Sequence, residues 1–193
     1  MESLKEVYNK LALKWSQAAW GDEGLQKFIK LVGGGRVLDL GCGSGIQSKI
    51  LQEAGLEVVG VDFAEKMIEE AGKKVPEAIF FTMDILDLDF PPDYFDGVYA
   101  RASLLHIPKN KLRKVLEQLN KVLKKEGIMY VALKEGQGER DIYDEGFGVS
   151  RFSAFYKEDE FKKILEEENF QLIETMYAQT ERNRWLQFFA RKV

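Results

Sequence analysis

Val37-Leu38-Asp39-Leu40-Gly41-Cys42-Gly43-Ser44-Gly45 is the stretch that decides the fold. A short apolar run ends in three alternating glycines and opens into Ile46 to Glu53, whose spacing reads as a helix. Glycines at a strand-to-helix junction let a ligand approach the backbone, and the helix N-terminus that follows adds unpaired N–H groups. Asp39 stands where its carboxylate can accept backbone N–H groups and hold the turn. The dinucleotide fingerprint needs glycine at the sixth position of G-x-G-x-x-G, and here that position is Ile46. A phosphate-cradling G-x-x-x-x-G-K-[ST] loop is also absent, so the pyrophosphate reading and a nicotinamide dehydrogenase lose their defining residue.

Working outward, short apolar runs alternate with helical stretches. Val37 to Leu40, Val58 to Val61, Ala78 to Thr82, Gly97 to Ala100 and Gly127 to Leu133 read as buried strands. Ile46 to Glu53, Glu65 to Lys74 and Lys109 to Lys124 read as helices between them, which predicts a parallel sheet covered on both faces. Upstream, Leu4, Val7, Tyr8, Leu11, Ala12 and Trp15 recur at helical spacing in a helix expected to end near Gly21, with a second helix from about Gly24 to Leu31. Downstream, residues 135–156 are polar and glycine-rich and read as a long loop. Lys157 to Glu168 is expected to be a helix, and Phe170 to Ala178 and Trp185 to Arg191 are expected to be strands. The connection between the last two is too short for a parallel crossover, so they should be antiparallel neighbours.

Two further acids stand at strand ends. Asp62 follows the second strand, where a carboxylate can accept both hydroxyls of a ribose, and Phe63 and Met67 follow as apolar candidates to face an adenine. Asp84 with Ile85 follows the third strand, placed to accept from an exocyclic amine. Each acid alone would serve as a helix cap, but the series lies along one edge of the sheet.

With 193 residues the chain suits one domain, residues 1–193, with 1–32 as a helical cover and 134–156 as a substrate lid. Lys and Arg number 28 against 32 Asp and Glu, so the basic surplus that phosphate binding draws on is missing and a nucleic-acid partner is disfavoured. One cysteine and one histidine exclude a disulfide framework and a cysteine/histidine zinc site within the chain, and no metal is expected. No apolar run is long enough to span a bilayer and the N-terminal residues are charged, which predicts a cytoplasmic protein without a membrane partner.

Taken together, these residues resemble the class I S-adenosylmethionine-dependent methyltransferases over nearly the whole chain, from about Tyr8 to Lys192. Asp39 to Gly45 is similar to the family's first motif, Asp62 to its ribose-binding acid, Asp84 and Ile85 to its adenine-contacting pair, and Phe95 to Ile107 to its fourth motif. Lys124-Lys125-Glu126-Gly127 resembles the family's turn before the fifth strand, with Lys125 and Glu126 replacing a Pro-Gly pair. The resemblance implies an α/β, three-layer Rossmann-like fold with a seven-stranded mixed sheet, the last strand antiparallel and helices on both faces. It also implies S-adenosyl-L-methionine as cofactor. Asp39, Gly41, Cys42, Gly43, Gly45, Ala100 and Leu105 would surround that cofactor with the residues named above, and Tyr8 and Trp15 would close over it.

Methyl transfer from a sulfonium is an in-line displacement, governed by holding the nucleophile close and aligned. A base is needed only when the acceptor must lose a proton, and His106, just past the fourth strand, is the candidate. Arg101, Glu135, Arg151 and Tyr156 are the candidate acceptor-binding residues. The expected acceptor is a small or medium-sized molecule. An RNA base, a protein side chain, or a silent cofactor-binding module stay open at this point, as does the oligomeric state.

Overall fold

The computed structural model describes residues 3–16 and 23–193. The chain opens with helices α1 (Leu4–Ser16) and α2 (Glu23–Val32). The expected continuation of the first helix to Gly21 lies outside the described residues. Then follow β1 (Arg36–Leu40), α3 (Ile46–Glu53), β2 (Glu57–Asp62), α4 (Glu65–Lys74), β3 (Ile79–Thr82) and β4 (Phe95–Arg101). A 3-10 turn (Leu104–His106), α5 (Lys109–Val122), β5 (Leu123–Lys134), β6 (Glu139–Asp144), β7 (Val149–Ala154), α6 (Glu158–Glu167), β8 (Phe170–Gln179) and β9 (Arg184–Lys192) complete it.

Seven strands form one sheet in the order β3-β2-β1-β4-β5-β9-β8. The first five pair in parallel, and β9 runs antiparallel to both β5 and β8, as the short final connection requires. The alternation of side chains along each strand divides the core in two. Leu38, Leu40, Val98 and Ala100 face α5 and α6, whose Leu112, Leu116, Leu119, Phe161 and Leu165 are buried against them. Val37, Val58, Tyr99 and Tyr130 face Leu25 and Phe28 of α2 and Leu51 of α3. The strand order reverses between β1 and β4, which opens a crevice at their carboxyl ends.

Two expectations are corrected. Residues 135–156 are not a plain loop: β6 and β7 pair as a separate antiparallel hairpin, from Glu139 opposite Ala154 to Asp144 opposite Val149. The Lys124–Gly127 segment is not a turn between α5 and β5. The helix runs directly into the strand, and a register shift opposite Asp96 absorbs the extra residues, with Glu126 in left-handed backbone at φ 64°.

Candidate functional site

The crevice begins at the glycine loop. Gly41, Gly43 and Gly45 have φ of 74°, 52° and 75°, the left-handed region that side chains resist. A β-carbon on Gly41 would sit 2.5 Å from that of Ser103, and one on Gly45 would sit 3.0 Å from Ala71 of α4. One on Gly43 would make ordinary van der Waals contact with Trp15 and Met67, at 3.7 Å and beyond. The first and third glycines therefore let protein pack on protein, whereas the second faces the cavity. The N–H groups of Gly41 and Cys42 both donate to the Val61 carbonyl, at 2.9 Å each, and tie the loop to β2.

Buried acids set the floor. Asp39 accepts the Ser48 hydroxyl of α3 at 2.6 Å, and burial pushes its carboxyl up to about 7. Asp62 accepts the Gly43 N–H at 3.1 Å on one oxygen and the Ala64 N–H at 2.9 Å on the other, so it braces the loop while still facing the cavity. Burial raises its carboxyl to about 6, against the pull of those N–H groups. Asp84 accepts the Leu86 N–H at 2.9 Å, in a turn at the mouth.

The roof comes from far away in sequence. Helix α1 lies on the start of α4, where Asn9 accepts the Lys66 N–H at 3.0 Å and Lys5 pairs with Glu65. Tyr8 packs edge-on against Trp15, Phe63 and His106. Trp15 in turn stacks beside Phe147 at the hairpin tip, and Lys14 donates to the Gly146 carbonyl at 2.6 Å. Arg151 of β7 pairs with Asp144 and donates to the Tyr8 oxygen at 3.2 Å.

Floor and roof enclose about 550 Å3, in the usual range for a small-molecule site. Of the residues singled out from sequence, Tyr8, Trp15, Gly41, Cys42, Gly43, Asp62, Phe63, Met67, Asp84, Ile85, Arg101 and His106 line it. The others do not. Asp39, Gly45, Ala100 and Leu105 stand behind the wall, buried among the elements that shape it. Arg151 stands behind Tyr8 and Trp15, donating to the Tyr8 oxygen and lying over the Trp15 ring. Glu135 is drawn away by Arg184, at 2.9 Å. Tyr156 is fully buried against Phe161, under the Lys109 ammonium, because its backbone bridges to Glu135 beside the sheet.

Sequence reasoning missed Lys5, Gln47, Met83 and Ser103 on the wall. The Gln47 amide nitrogen and the Ser103 hydroxyl are buried with no protein partner, although both residues border the cavity. Buried polar groups of that kind ask for a ligand or ordered water. Unpaired polar atoms, a left-handed glycine on the cavity wall, a carboxylate at the second strand end and apolar Phe63 and Met67 together fit an amino-acid-bearing nucleoside. Among the described residues no cluster suits a metal ion, and no helix is long and apolar enough to cross a membrane.

This fold and crevice define the class I S-adenosylmethionine-dependent methyltransferase architecture. Residues 37–127 match the family described as "Methyltransferase domain". A 2-phytyl-1,4-naphtoquinone methyltransferase of Synechococcus elongatus is 33% identical over 131 residues, which is 63% of this chain and 49% of that relative. The chain spans about half the length of the curated relatives it matches. Among solved structures, the 1,6-didemethyltoxoflavin-N1-methyltransferase of Burkholderia thailandensis, with bound 1,6-didemethyltoxoflavin and S-adenosylhomocysteine, superposes with a TM-score of 0.81. It is 20% identical, over 98% of this chain and 87% of that one. The magnesium protoporphyrin IX methyltransferase of Synechocystis, with bound S-adenosylmethionine, gives 0.73 at 19% identity, over 100% and 99% of the two chains.

Proposed function

We propose that the chain binds S-adenosyl-L-methionine in this crevice and transfers its methyl group to a small-molecule acceptor. The observation that carries the reading is Gly43: a left-handed glycine on the cavity wall, beside the cavity-lining carboxylate of Asp62 and within van der Waals reach of Trp15 and Met67. The cofactor supplies a methyl group on a positively charged sulfur with a good leaving group behind it. The chain's contribution is to bind and to orient. Asp62 keeps lone pairs free for ribose hydroxyls after taking two N–H groups, and Asp84 is placed for the adenine amine. Phe63, Met67 and Ile85 give the base an apolar slot. Gln47 and Ser103 offer the polar contacts that the amino-acid end requires. Tyr8 and Trp15 close the roof and exclude water, and Arg101 at the wall is placed to hold a charged acceptor.

In this reading residues 1–193 form one methyltransferase unit, with 1–32 as cover and the 134–156 segment as the acceptor lid. The relatives named above act on a quinone, a toxoflavin precursor and a porphyrin, which supports a small acceptor. The buried free thiol of Cys42 suits a reducing, cytoplasmic setting. Calorimetric titration of the full chain with S-adenosylmethionine tests the reading. Saturable binding is expected, with loss of at least about 100-fold in affinity for Gly43→Val, because the added side chain fills the cavity. No binding by the unaltered chain, or equal binding by the variant, would overturn it.

A further inference from the structure

In the methyl-transfer reading, adenine beside Asp84 and methionine beside the glycine loop leave the end near Arg101 and His106 for the acceptor. No group there is free to take a proton. His106, the candidate base of the sequence, is tied at both nitrogens: its Nδ1 lies 2.6 Å from the Phe152 carbonyl oxygen and its Nε2 2.7 Å from the Tyr8 hydroxyl. A carbonyl oxygen only accepts, so Nδ1 carries the proton and the Tyr8 O–H donates to the Nε2 lone pair. Burial, helped by Arg151 and Lys134, lowers the imidazole to about 4, which makes it a poor base. Burial also holds the Tyr8 phenol and the Cys42 thiol in their protonated forms. Lys5 is an ammonium paired with Glu65. Asp62 and Asp84 stand at the ribose and adenine positions, each already accepting backbone N–H groups. Among the described residues of the wall, nothing remains to deprotonate an O–H or N–H before the methyl moves.

Cations collect around the same end. Arg101 lines the wall, and Arg151 of β7 and Lys134 of β5 lie near His106. Asp144 pairs with Arg151. Lys134 is half-buried beside the Trp185 ring and pairs with no carboxylate among the described residues. Asp39 of β1 lies near Arg101, and burial pushes its carboxyl up to about 7, so it offsets that charge only in part. A positive excess in a partly desolvated place attracts an anion and opposes a cation. An amine would become an ammonium on methylation, against that field. A carboxylate arrives ionised without help and leaves neutral.

We propose, resting on the methyl-transfer reading, that the acceptor is an organic carboxylate held by Arg101 and that the product is its methyl ester. A lone pair of one carboxylate oxygen forms the bond to the methyl carbon, and the carbon–sulfur bond breaks with its electrons going to sulfur. The negative charge of the carboxylate and the positive charge of the sulfonium cancel, and no proton moves. A guanidinium fork holds a carboxylate by two N–H groups. Each carboxylate oxygen has two lone pairs, so a held oxygen keeps one for the methyl. Arg101 selects and positions the anion, and the tied His106 belongs to the wall.

Methyl esters release methanol in mild alkali, whereas ethers, methylamines and C-methyl groups do not. The full chain is incubated with S-adenosylmethionine tritiated on its methyl group. The acceptors are the small-molecule extract of the cells that make the protein, and benzoate, phenylacetate, decanoate and glutarate. Label that turns volatile in alkali is expected, with none from benzyl alcohol or benzylamine. At saturating cofactor and acceptor, kcat should stay level from about pH 7.5 to 9, because no base titrates. Arg101→Gln should lower kcat/KM for the carboxylate roughly 10- to 150-fold, and Arg101→Lys by less, with S-adenosylmethionine affinity unchanged. Alkali-stable label, no labelled product, a kcat that climbs with pH, or an Arg101→Gln loss that falls on cofactor affinity would each overturn the proposal. Calorimetry with S-adenosylmethionine separates the two levels: binding without ester formation sinks the carboxylate alone, and no binding sinks the methyl-transfer reading beneath it.

Discussion

The floor and the roof of the crevice are made by different means. The floor is backbone: three left-handed glycines, a carbonyl shared by two N–H groups, and a carboxylate that braces the loop from the next strand. The roof is side chain: Tyr8, Trp15, Phe147, Arg151 and Asp144 meet across more than a hundred residues of chain, through rings and charges. A floor of that kind is rigid and holds one ligand conformation. A roof of that kind can part without unfolding anything, since each contact is a single side-chain interaction.

The contrast is sharpest where charge is buried under the floor. Asp39 ionises in the fold only near pH 7, whereas in the unfolded chain it ionises near its ordinary value. A raised carboxyl favours the folded state fully below about pH 4, and that benefit is lost as pH rises through 7. Denaturant titrations at pH 4 and 8 should therefore show the unaltered chain losing roughly 3–4 kcal/mol more than Asp39→Asn over that interval. Equal slopes would mean that the floor carries no such charge. Next in size, Gly41→Ala should cost roughly 3 kcal/mol of stability, from left-handed backbone and a clash with Ser103 combined. A stable variant would show that the floor can yield.

Asp62→Ala should weaken S-adenosylmethionine by roughly 1.5–3 kcal/mol, read by calorimetry, since hydrogen bonds to a carboxylate are worth that much. Unchanged affinity would remove this acid from the ribose. The smallest effect belongs to the roof. Arg151→Met removes the link between Tyr8 and Asp144 and should cost about 1 kcal/mol of stability at most. Stopped-flow release of the cofactor should quicken severalfold while the floor variants' stability penalties stay the same. A change as large as that of Gly41→Ala would erase the distinction between the two surfaces.

The same division explains what could be read before the fold was known. Gly41, Gly43 and Gly45, and the acids at 62 and 84, announce the floor because backbone conformation and strand ends have few residue solutions. The centre of the seven-stranded sheet was legible for a similar reason: β1, β2 and β4 are buried on both faces and stand out as apolar runs. The hairpin was not. Glu139–Asp144 is mostly exposed on both sides, so it carries no alternation to detect. Tyr156 and Glu135 were assigned to the lid because they sit beside it in sequence, yet one packs on Phe161 and the other pairs with Arg184. Gln47 and Ser103 have no local signature, and only the folded chain shows their polar atoms left without partners.

At the hairpin tip, Lys14 grips the Gly146 carbonyl while Trp15 lies beside Phe147. In the proposed methyl-transfer reading, the helix over the cofactor and the ribbon over the acceptor are joined at these contacts, so parting them would open the way out for both ligands at once.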